Sequence, residues 1–112
     1  TSAQAWADHL AINNAFYHDD TAYSENLWTG TASAFSLTDM VTAWGEEKEH
    51  FIANSSFPDV STTGNWADVG HYTQIVWETT TEVGCGLAST RSRDILVCRY
   101  DPPGNFLGET PF

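Results

Sequence analysis

His71 is the second residue of the run GHYTQIVW, residues 70 to 77, with a glycine before it and an aromatic, a hydroxyl and an amide behind it. An imidazole so placed can act as a general base, as a ligand to a borderline metal ion, or as a hydrogen-bonded histidine at the head of an apolar segment. Taken alone the run favours the last reading, because Ile75, Val76 and Trp77 carry it into a core. Cys85 and Cys98 are the other groups with chemistry of their own. Neither belongs to a Cys-x-x-Cys or to a His/Cys cluster of zinc-ligand spacing, so a disulfide is expected rather than a metal clip. Asn54 begins NSS, an acceptor for N-glycosylation, and with the cysteine pair it points to an oxidising, extracellular setting.

The elements that must position these groups are legible in outline. Ala3, Trp6, Ala7, Leu10 and Ala11 recur at helical spacing in residues 2 to 12, with Ser2 as a candidate cap. YSENLWTG lacks a helical period and reads as a short edge strand closed by Gly30. Ser36 and Asp39 have capping-box spacing, and Leu37, Met40, Val41, Trp44, Lys48 and Phe51 form one stripe, which predicts a helix over 36–51. Residues 54 to 70 carry Pro58 among Ser, Thr, Gly, Asp and Asn, the composition of a long surface loop serving a site. A short helical or turn segment near 67–75 precedes VGCGLAST and RDILVCRY, two strand-like runs whose polar turn near Thr90 to Ser92 makes them an antiparallel hairpin. The tail DPPGNFLGETPF is too rich in proline to continue a central strand and must wrap irregularly. No repeat, low-complexity segment or linker divides residues 1–112, so a single domain is expected.

Composition narrows the partners. Four Lys and Arg against fifteen Asp and Glu give a net charge of -11, which repels nucleic acid and anionic lipid head groups. The same acidity concentrates cations, but surface acids also serve solubility alone, and charge by itself identifies no metal site. No apolar run approaches the ~20 residues that span a bilayer. No signal peptide opens the sequence; with the cysteines and the sequon, a mature secreted form is expected rather than a cytoplasmic one.

GHYTQIVW at 70–77, ILVCRYDPPGNF at 95–106 and SENLW at 24–28 together resemble the CAP superfamily: cysteine-rich secretory proteins, insect venom antigen 5, and plant and fungal pathogenesis-related proteins of class 1. AQAWADHLA, AWGEEKEHF and TTEVGCG fit the same order, so the resemblance covers nearly the whole chain. It implies an α+β fold, a three-layer α/β/α sandwich around a small antiparallel sheet. It also implies a further N-terminal helix ahead of the segment that opens this chain; its absence here reads as processing or truncation. The family's cleft tetrad of two His and two Glu maps onto His18 of FYHDD, Glu25 of SENL, Glu47 of AWGEEKEHF and His71 of GHYTQ. Ser24 stands where a glycine usually precedes the first glutamate.

Such a set suits metal binding. Two imidazoles can hold a divalent ion, zinc foremost, while carboxylates accept from the outer ring N–H and fix the tautomer. The same four side chains can also be two ion pairs in a polar cleft with no metal. Glu46 and Glu49 read as a solvated helix face, and His9 and His50 as surface or interfacial histidines. The resemblance further implies binding of sterols or other small lipids, with Tyr23, Trp28 and Phe35 as the aromatic loop; aromatics in these places are more often core, so the lipid role rests on the resemblance and not on these residues. The implied function is a secreted, non-enzymatic binding protein. Its rivals are a defence or venom-type protein that acts on a protein partner through its surface, and a metal-dependent hydrolase using Ser24, for which no Gly-x-Ser-x-Gly elbow is present.

Overall fold

The computed structural model describes residues 2–112. Its order is α1 (Ser2–Ile12), β1 (Ser24–Thr31), α2 (Leu37–Gly45), α3 (Gly70–Ile75), β2 (Glu82–Ser89) and β3 (Arg93–Asp101), with 3-10 turns at Glu46–His50 and Trp66–Asp68. The predicted hairpin is present: β2 and β3 pair antiparallel, Cys85 directly opposite Cys98. The two are joined by a disulfide with Cα atoms 4.1 Å apart. β1 pairs antiparallel with the other side of β3, giving the order β1-β3-β2. The strand read as an edge is therefore an edge.

Central β3 explains the layers. Its side chains alternate, so Ile95 and Val97 face one side with Leu27, Ala3, Ala7 and Leu10, while Leu96, Cys98 and Tyr100 face the other with Met40 and Trp44. Helix α1 thus covers one face and α2 the other, the three-layer α/β/α arrangement, and each buried Leu or Ile contributes roughly 1.5–3 kcal/mol. Two side chains fasten α1 beyond its apolar stripe. The Gln4 amide both accepts from Leu87 N–H (3.2 Å) and donates to Leu87 C=O (2.8 Å), which blunts the open edge of β2. Arg93 Nη2 donates to the carbonyls of Leu10 and Ala15 at the end of the helix.

Three local readings are corrected. Ser2 lies inside α1 as its first residue, and its hydroxyl accepts from Arg99 instead of capping the helix. The Ser36–Asp39 capping box is present, but the helix over 36–51 stops at Gly45 and tightens into a 3-10 turn. Glycine has low helix propensity, and the carboxylates of Glu46, Glu47 and Glu49 oppose the negative end of a helix dipole. Within the expected stripe Met40 and Trp44 are buried, whereas Leu37 and Val41 are exposed. The segment read as a surface loop holds a core of its own, with Phe57, Val60 and Val69 packed on Trp77. Their hydrophobic partner lies beyond Gly70, which local composition does not reveal.

Candidate functional site

A cleft of about 280 Å³ lies beside the start of edge strand β1, where elements from both faces of the sheet meet. His18 reaches it from the loop after α1, Glu25 and Asn26 from β1, and His71 from the first turn of α3. In the first half of the site, His18 Nδ1 lies 2.9 Å from Glu25 Oε1, which also accepts from Asp19 N–H at 2.7 Å. The carboxylate is buried, 4% exposed, while the imidazole stands 62% exposed. In the second half, His71 Nδ1 lies 2.7 Å from Glu47 Oε2. Glu47 Oε1 accepts from the backbone N–H groups of His71 (3.0 Å) and Tyr72 (3.1 Å). This contact accounts for the break in the helix after α2: the 3-10 turn carries Glu47 across to α3.

The sequence assignments of His18, Glu25, Glu47 and His71 thus converge as two His–Glu pairs. An ionised carboxylate only accepts, so each pair fixes Nδ1 as the protonated nitrogen and leaves Nε2 as the available lone pair. Two such nitrogens fit a borderline divalent cation. Among the described residues no group of three or more His, Cys, Asp and Glu is arranged to hold an ion.

Several residues that hold the cleft carry no obvious signal in the sequence. Trp44 stacks on the His71 ring (5.7 Å between centroids, 19° between planes) and donates from Nε1 to Leu27 C=O, tying α2 to both site and sheet. Asn26, 2% exposed, donates to His71 C=O (3.2 Å) and to the Tyr100 hydroxyl (3.0 Å). Burial pushes the Tyr100 phenol up to about 12, against the opposing effect of the Asn26 hydrogen bond. Gly104 N–H donates to Ser24 Oγ and Gln74 Oε1, both at 3.0 Å; a side chain at Gly104 would collide with Trp77 and Gln74. Arg99 donates from Nε to Glu25 Oε2 at 3.2 Å and from Nη2 to Asp19 Oδ2 at 2.6 Å. A lone arginine in the apolar run ILVCRY was the one readable hint, since a buried guanidinium requires a carboxylate.

The other predicted residues lie elsewhere. Trp28, within β1, packs edge to face on Phe35, which follows the strand, with 5.2 Å between ring centroids, while exposed Tyr23 lines a separate hollow with Val83 and Asp101. The three aromatics therefore form no common loop surface, and none lines the His18–His71 cleft. Asn54 is exposed at a turn with φ 60°. His9 stacks on Trp6 and meets the Tyr17 hydroxyl, and His50 is exposed. Glu46 and Glu49 are exposed, as a solvated face requires.

A small antiparallel sheet between helical layers, with two carboxylate-braced histidines at its edge, defines a class of cleft-bearing α/β/α domain. The chain belongs to the CAP family: the model described as "Cysteine-rich secretory protein family" matches residues 1–100. It is 34% identical over 111 residues to pathogenesis-related protein 1A of Nicotiana tabacum, covering 98% of this chain and 63% of that protein. It is likewise 34% identical over 119 residues to venom allergen 5 of Polistes gallicus, covering 96% of this chain and 54% of that protein. The crystal structure of NaASP2 with Zn2+ superposes with a TM-score of 0.77 at 25% identity, covering 99% of this chain and 62% of that one. The chain thus spans about three-fifths of the length of the plant relative.

Proposed function

We propose that this chain is a secreted, non-enzymatic defence-type CAP protein whose cleft takes a divalent cation, zinc by preference, on His18 and His71. The observation that carries the reading is the pairing of each Nδ1 with its own carboxylate at one cleft. Glu25 and Glu47 serve as orienting groups, and the ion, when bound, supplies positive charge and exchangeable water positions. Zinc in the related NaASP2 structure supports the choice of metal. Secretion is supported by the Cys85–Cys98 bond, the exposed Asn54 sequon and the family's description. The hydrolase alternative finds no support from Ser24, whose hydroxyl is engaged with the Gly104 backbone.

The test is titration calorimetry with zinc. Saturable heat is expected from the parent at about pH 7.5. His71→Ala and His18→Ala should each lose it. Equal heat in the variants, or none in the parent, contradicts the assignment.

A second reading, binding of a sterol or similar small hydrophobic molecule, is favoured by a different feature. Val41, Trp44, Ile75, Val83, the disulfide and Tyr100 line an apolar groove of about 360 Å³ between α2 and β2, within the size range of small-molecule sites. Mass spectrometry of extracted, co-purifying lipid distinguishes it: a stoichiometric sterol supports the reading, and a lipid-free protein with a tight protein partner favours action through the surface.

A further inference from the structure

The two halves of the cleft are held differently, and the difference centres on Arg99. Its side chain is 10% exposed on the central strand, and its register partner across the ladder is Glu25. The guanidinium reaches Glu25 through Nε, Asp19 through Nη2 and the Ser2 hydroxyl through Nη1. Asp19 is tied twice to this unit, by its side chain to Arg99 and by its backbone N–H to Glu25. His18 is its neighbour in the chain, and its one side-chain hydrogen bond among the described residues is to Glu25. On the other side, Glu47 is held by backbone N–H groups and His71 by stacking on Trp44, with no Lys or Arg involved among the described residues.

We infer that Arg99 is a positioning residue for His18: its planar fork fixes Glu25 and Asp19 together, and through them sets the tautomer and direction of the imidazole. The geometry favours this role because one face of Glu25 is held by Arg99 while the other meets His18, so the carboxylate cannot rotate toward the imidazole without leaving the guanidinium. A lysine offers a point charge and cannot hold both carboxylates in one plane. The inference rests on the metal reading for its consequence in zinc affinity, but not for the His18 tautomer, which exists without metal.

The experiment exploits His71 as an internal reference. In histidine-labelled, metal-free protein at about pH 8, ring 15N shifts report which nitrogen of each histidine is protonated. The parent should show Nδ1–H at both positions. Arg99→Met should convert His18 to a mixture of tautomers, leave His71 unchanged, and weaken zinc binding on the order of tenfold. Should Arg99→Met fail to fold, Arg99→Lys reads the same signal, with a His18 mixture again expected. An unchanged His18 tautomer in a folded variant overturns the inference. A parent that binds no zinc, while His18 still changes in the variant, overturns the metal reading and upholds the role of Arg99.

Discussion

Each imidazole at the cleft gives Nδ1 to a carboxylate and keeps Nε2, and the groups behind it make that division stable. Asn26 is the most informative of these groups, because its amide joins the His71 carbonyl to the phenol of Tyr100 inside the core. The phenol's pKa, raised from 10.0 to about 12 by burial, gives a testable pH dependence. Below pH 10 the unfolded and folded states both hold the proton. Between about 10 and 12 the unfolded chain releases it and the folded one does not, so stability falls as pH rises through that window. The loss attributable to Tyr100 is at most about 3 kcal/mol. Tyr100→Phe should cost on the order of 1 kcal/mol at pH 8 by leaving one Asn26 N–H unpaired. It should then lose less stability than the parent at alkaline pH, so the two curves converge. Denaturant unfolding from pH 8 to 12 measures both, and parallel curves contradict the assignment.

Between elements, α1 approaches the backbone of β2 closely at Gly86. A Cβ on Gly86 would lie within the van der Waals envelope of the Gln4 backbone and against Ala3, so the strand needs a residue with no side chain where the helix crosses it. Gly86→Ala should force α1 outward and destabilise by about 3 kcal/mol, read as a lower unfolding midpoint. An unchanged midpoint would mean that α1 does not dock there. What the sequence made legible follows the range of the interactions involved. Helix α1, the capping box at Ser36, the edge strand and the hairpin are local patterns, and all four are present. The end of α2 was not legible, because Glu47 leaves the helix for N–H groups that lie 24 and 25 positions on. The core under the 54–70 loop was hidden for the same reason, since Phe57 and Val60 are buried against Trp77. Trp28 and Phe35, a ligand loop only by family resemblance and core by their residue types, pack on one another.

On the scale of the whole molecule, the site forms beside β1, an edge of the three-stranded sheet found among the described residues. Edge strand β1 leaves room for the loop after α1 and for α3 to meet over it, bringing His18 and His71 from opposite layers to one cleft. The tetrad was reached through resemblance to a family and not through spacing, since its members lie on four separate segments and are brought together only by the fold. A net charge of -11 raises the concentration of cations around the molecule without placing one in the cleft. The placement is the central claim, and crystallography at the zinc absorption edge tests it most directly. Crystals grown with zinc should give an anomalous peak about 2.0–2.1 Å from Nε2 of both His18 and His71, the distance of a zinc–imidazole bond. A featureless cleft, or a peak bonded to other side chains alone, would contradict the account.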